Sequence, residues 1–142
     1  MEPISRPEIE SVIPHRPPFL FLDEVVEHEP GRWARGRYTP RADEFFFKGH
    51  FPGNPVMPGV LMVEAAAQLG AFVILSIPEN RGKIAYFGGI ENVRFKRVVR
   101  PGETLELEVE LVKLRQGAGK GQARARVGDE LCFEGGMTFV VR

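Results

Sequence analysis

The stretch PGVLMVEAAAQLGAFVILSIP, residues 58–78, decides the fold. Between Val60 and Ile77 nearly every side chain is apolar, which raises the question of a membrane span. Glu64 and Gln68 lie inside the run and no basic flank anchors either end, so lipid is a poor home for it. A helix that is apolar on nearly every side and is not in lipid is one enclosed by its own protein. Pro58 and Gly59 suit its start, because a proline in a first helical turn gives up only a donor that would be unpaired there. Pro78 sets its end.

Upstream, Arg6 to Ile13 predicts a short helix that stops before Pro14. Phe19 to Val26 reads as a strand, and the turn Pro30-Gly31 leads into a second over Arg32 to Thr39, giving a hairpin. In that second strand Trp33, Arg35, Arg37 and Thr39 share one face, and Ala34, Gly36 and Tyr38 the other. Residues Asp43 to Pro58 fit no regular element, since prolines so spaced break a strand.

Downstream, Lys83 to Phe87 and Ile90 to Val99 are strand candidates separated by Gly88-Gly89. Leu105 to Leu111 is the clearest strand, with Leu105, Leu107, Val109 and Leu111 alternating with three glutamates. Gly117 to Gly121 predicts a flexible hairpin turn into Gln122 to Val127, and Gly128-Asp129 a second turn into Glu130 to Val141. Its glycines faintly resemble a phosphate loop, but the spacing is incomplete and a strand follows instead of a helix. One long helix followed by antiparallel strands is an α+β pattern, and 142 residues suit one domain over 1–142.

Nineteen basic residues balance nineteen acidic ones, so no global field draws the chain to nucleic acid or an anionic membrane. Cys132 is alone and cannot form an internal disulfide; Leu131 and Phe133 beside it point to a buried strand position. The first ten residues lack the basic start and apolar stretch of a signal peptide, which favours a cytoplasmic protein. His15 and His28 are far from His50 in sequence, so no metal site is expected, and a structural role is favoured for His15.

A carboxylate inside an apolar helix needs a reason, because burial raises its pKa and penalises the charged form. Gln68, one turn after Glu64, is placed to hold the carboxyl group. A hydrogen-bonded structural pair would satisfy that much. His50, on the irregular segment just before the helix, adds an imidazole able to accept a proton where a sheltered carboxyl could donate one. Gly59 adds a backbone N–H at the positive end of the helix dipole with no side chain in the way, a donor suited to a carbonyl oxygen that gains negative charge. Base, acid and oxyanion donor match α-proton abstraction followed by loss of a β-hydroxyl, and equally the reverse hydration, or hydrolysis if water took the place of the substrate proton.

The segment from Gly49 to Gln68, GHFPGNPVMPGVLMVEAAAQ, resembles the signature of FabZ-type 3-hydroxyacyl-[acyl-carrier-protein] dehydratases. The likeness extends to Pro14-His-Arg-Pro-Pro-Phe-Leu-Phe-Leu-Asp23 upstream and to Phe87 through Leu105 downstream, leaving roughly the last forty residues matched by strand pattern alone. The resemblance implies a hot-dog fold, an antiparallel sheet wrapped around one long helix. It also implies a homodimer with joined sheets, commonly a trimer of dimers, whose sites take His50 from one subunit and Glu64 from its neighbour.

By the same resemblance, His50 removes the α-proton, the Gly59 N–H steadies the thioester oxygen and Glu64 helps the hydroxyl leave as water. Gln68 and Phe51 join the substrate-binding residues, Tyr86 gates the acyl tunnel, and no cofactor takes part. The related FabA type, which also isomerises the double bond, carries Asp where this chain has Glu64. Arg94, Lys96, Arg97 and Arg100 form a local basic excess that would dock an acidic acyl carrier protein, the alternative being a strand edge guarded by charge. Two rivals share the fold: a thioesterase, which would release free thiol, and a non-catalytic acyl-binding subunit.

Overall fold

The structure, a computed structural model, describes residues 2–142. Strand β1 (Ile4–Ser5) runs into helix α1 (Arg6–Glu10), and an extended segment leads to the hairpin β2 (Glu24–Glu29) and β3 (Trp33–Tyr38). After a single 3-10 turn at Phe45–Phe47 comes α2 (Gly59–Leu75), then β4 (Ala85–Phe95), β5 (Leu105–Arg115), β6 (Ala118–Val127) and β7 (Glu130–Val141). The strands form one antiparallel sheet in the order β1-β2-β3-β5-β6-β7-β4. It curls around α2, whose seventeen residues span about 25 Å. This is the hot-dog arrangement.

Enclosure explains the apolar helix. Met62, Val63 and every residue from Ala65 to Leu75 are buried. Among the described residues, no helix is long and apolar enough to cross a membrane. The alternation in β5 works as period-two geometry demands: Leu105, Leu107 and Val109 face the helix, while Glu106 and Glu108 stand opposite Arg126 and Arg124 of β6 and Arg37 and Arg35 of β3. In β3, Ala34, Gly36 and Tyr38 are buried as their spacing predicts. Cys132 is fully buried in β7.

Several boundaries differ from the sequence reading. Helix α1 ends at Glu10, where Ser11 caps it by donating its hydroxyl to the Glu8 carbonyl at 2.6 Å. Residues 19–23 are not strand: Arg6 donates to the Leu20 and Leu22 carbonyls, and Gln68 takes the Phe21 N–H, so side chains satisfy a backbone that a ladder would otherwise pair. Gly88-Gly89 does not separate two strands; it lies within β4, which shifts register between Phe87 and Gly89 and again between Glu91 and Arg94.

The glycine-rich turn is confined to Gln116 and Gly117. Gly119 and Gly121 belong to β6, where close approach rather than flexibility requires them. A Cβ on Gly119 would lie 3.1 Å from Ile74 of the helix, and one on Gly121 3.1 Å from the Glu110 carbonyl.

Candidate active site

Glu64 projects from the second turn of α2 toward the segment of residues 15–21. Its side chain is 18% exposed. Burial pushes the carboxyl above the usual carboxylate range, and a hydrogen bond from Gln68 draws it partly back. That bond, Gln68 Nε2 to Glu64 Oε2, is 2.9 Å long. Gln68 itself is fully buried and fully used: Nε2 also donates to the Phe19 carbonyl at 3.1 Å, and Oε1 accepts the Phe21 N–H at 2.7 Å. One amide therefore straps the extended segment to the helix and fixes an oxygen of the acid.

His50 lies at the mouth of the helix, on the loop between the 3-10 turn and Gly59. Its Nδ1 is 2.9 Å from the Val56 carbonyl oxygen, which can only accept. In the neutral ring the proton is therefore on Nδ1, and the Nε2 lone pair is left to act as a base. Val56 N–H returns a bond to the His50 carbonyl at 2.8 Å, and Met57 N–H ties the loop to Val99 at 2.7 Å. The Phe51 ring stacks on the imidazole, centroids 4.0 Å apart, and is itself half exposed.

His50, Phe51, Met57, Gly59 and Phe95 line an open cavity of about 550 Å³. Gly59 has a packing reason to lack a side chain, since a Cβ there would meet the Phe95 ring at 2.9 Å. It is also the first residue of α2, whose opening amides have no carbonyl one turn earlier to bond. Glu64 is not part of the cavity wall, and among the described residues no hydrogen bond or ion pair joins it to His50. Within one chain His50 and Gly59 are together, and Glu64 is apart.

The remaining predicted site residues spread along β4 and the loop after it. Tyr86 is half exposed on the edge strand. Arg94 and Lys96 are exposed. Arg97 is committed to Glu103 through two bonds of 3.0 and 2.7 Å, and Arg100 donates to Asn54 at 2.8 Å, which narrows the free basic surface to fewer side chains than the sequence counts. Another hollow, on the outer sheet face near Arg35, Glu108, Arg124 and Glu134, mixes both charges and lies away from the cavity that holds His50. Among the described residues no cluster of His, Cys, Asp and Glu could hold a metal.

One neighbour of Glu64 escaped the sequence reading. His15 Nε2 lies 3.7 Å from Glu64 Oε2. Burial, and then the charge of Arg16, hold this imidazole below the usual histidine range. Spacing along the chain cannot bring residue 15 to residue 64; the only local signal is the run of prolines around His15, which marks a fixed loop.

A sheet rolled around a helix that carries a sheltered carboxyl, with an imidazole at the helix mouth, defines a hot-dog protein. The model of the FabA-like domain family matches residues 13–135. The chain belongs to that family, on its FabZ-type branch. It is 56% identical to the 3-hydroxyacyl-[acyl-carrier-protein] dehydratase FabZ of Chloroflexus aggregans over 97% of this chain and 96% of that one. It is 53% identical to the FabZ of Moorella thermoacetica, covering 94% and 93%. Two solved structures share the fold. The dehydratase heterocomplex ApeI:P of Xenorhabdus doucetiae matches with a TM-score of 0.64 at 22% identity, over 80% of this chain and 92% of that one. The sigma28-regulated virulence protein Cj0977 of Campylobacter jejuni matches at 0.66 and 15% identity, over 94% and 87%.

Proposed function

We propose that this chain removes water from (3R)-3-hydroxyacyl-[acyl-carrier-protein] to give the trans-2-enoyl thioester, the dehydration step of fatty-acid biosynthesis. The observation that carries this is Glu64: a carboxyl held in apolar surroundings, bonded through Oε2 and, among the described residues, with no partner on Oε1, in a chain 56% identical to a dehydratase of that name. His50 Nε2 takes the α-proton, and the electron pair of that C–H bond forms the new double bond. The Gly59 N–H steadies the thioester oxygen as charge develops there. Glu64 gives its proton to the β-hydroxyl, the C–O bond breaks, and water leaves. Phe51 and Gln68 shape the site around these groups, Tyr86 gates the acyl tunnel, and no cofactor enters. Glu64 in place of Asp goes with dehydration without isomerisation.

The acid that meets a given His50 comes from the partner subunit. Strand β4 supports this: its free edge and its apolar side chains Tyr86, Phe87, Ile90 and Phe95 are 40–51% exposed, a surface that joining the sheets of two copies would cover. Dimers then group as a trimer. Arg94 and Lys96, with Arg97 and Arg100 behind them, face the acidic carrier protein. The chain works as one cytoplasmic domain over residues 1–142.

The test is an assay that follows enoyl absorbance and free thiol together after addition of a 3-hydroxyacyl thioester. Enoyl formation without thiol is the expected result. Thiol release would make the protein a thioesterase, and silence in both channels would make it a binding subunit; either outcome overturns the proposal.

A further inference from the structure

We infer that His15 is a positioning residue for Glu64: with Gln68 it holds the carboxyl through Oε2 and leaves Oε1 to the substrate. This deepens the dehydratase reading and depends on it. Both nitrogens address the same oxygen, Gln68 Nε2 at 2.9 Å and His15 Nε2 at 3.7 Å. The longer contact becomes a hydrogen bond if the groups close by about 0.8 Å, and such bonds commonly tighten when substrate is bound.

The imidazole is held in place by its own loop. Arg16 donates to the carbonyls of Glu10, Ile13 and His15 at 2.9, 2.9 and 2.7 Å, fixing the turn between α1 and the prolines. The His15 ring is only 20% exposed, and its Nδ1 is buried with no partner among the described residues. A proton on Nδ1 would be a buried donor with nothing to accept it, so the single ring proton belongs on Nε2, facing Glu64.

The chemistry of a neutral donor suits an acid. A lysine or arginine in this place would lock Glu64 as a carboxylate by fixed charge. A neutral N–H orients the oxygen while leaving the carboxyl free to carry and release a proton. The groups that bear on the Glu64 carboxyl are His15 and Gln68, with Arg16 adding charge beside His15. A donor to the ionised form lowers a carboxyl pKa, so losing the His15 N–H must move the Glu64 titration upward.

The experiment compares the full-length wild type with His15→Phe, which keeps ring shape without the donor, and His15→Gln, which keeps a donor. Turnover of a short 3-hydroxyacyl thioester is measured across pH, with mass by light scattering. His15→Phe should lower kcat about tenfold, the worth of one hydrogen bond, with KM within about twofold. Its alkaline limb should shift to higher pH, and His15→Gln should restore most of kcat. A kcat within about twofold of wild type and an unmoved limb in His15→Phe would overturn the inference, as would equal losses in both variants.

Should His15→Phe fail to assemble, His15→Gln against His15→Met makes the same comparison, since the two side chains are alike in length and differ in the donor. Equal kcat in that pair overturns the inference, and a deficit only in the Met variant supports it. Glu64→Gln in the same assay separates the two levels. If it keeps wild-type turnover the dehydratase reading itself falls; if it is inactive while His15→Phe behaves as wild type, only the role of His15 falls.

Discussion

The two sides of helix α2 are finished to different degrees. Against β5, β6 and β7 the helix meets a completed wall, in which Leu105, Leu107, Val109, Ala125 and Phe139 are at most 2% exposed and the outer face carries paired charges. Toward its N-terminus and β4 the same chain leaves Phe51, Val60, Ile90 and Phe95 between 50% and 71% exposed. A molecule that buries apolar surface so thoroughly on one side has the means to do so on the other. The open side is a surface that the proposed dimer would cover, and the cavity holding His50 lies there.

Substitutions on the two sides should fail in different ways. The largest effect is expected from Ile90→Glu on the β4 edge. A charge there should halve the mass seen by light scattering and take turnover to background while circular dichroism stays that of a folded chain; an active variant of unchanged mass would contradict the role of this edge. Next is the completed wall. Phe139→Ala should destabilise the protein by about 3–5 kcal/mol in denaturant titration, with kcat per folded molecule nearly unchanged. If it lowered kcat without lowering stability, the wall would be part of the site.

The smallest effect concerns the boundary between the sides, where Glu64 stands. A carboxyl whose folded pKa is raised favours the folded state at low pH, and that advantage disappears as pH rises through the folded value. Glu64→Gln removes the titration. Its Tm relative to wild type should therefore increase as pH rises above the ordinary carboxylate range and then level off. A difference independent of pH would place Glu64 in a wetter environment than described.

The helix, its enclosure and the alternating strand β5 were legible because hydrophobic periodicity is a local property that survives tertiary packing. Glu64 and His50 stood out as candidates for the opposite reason: Glu64 contradicts the apolar pattern around it, and His50 stands on a segment with no regular structure. Residues 19–23 misled because their apolar run is buried as an irregular strap paired to side chains, which no backbone propensity encodes. Gly119 and Gly121 misled because glycine signals a turn and a close contact alike, and only the position of Ile74 tells which. His15 was invisible as a neighbour of Glu64, since forty-nine positions separate them.

The claim that each site is completed across a subunit boundary has a direct test. His50→Ala and Glu64→Gln should each lose about 10²- to 10⁴-fold in kcat as pure assemblies. Unfolding the two together and refolding the mixture gives mixed dimers in which one site unites the intact His50 of one chain with the intact Glu64 of the other. Turnover should return to roughly a quarter of wild type, since half of randomly paired dimers are mixed and one of their two sites is whole. A refolded mixture no more active than its parents, with mixed dimers demonstrated by mass, would show that both groups act within one chain.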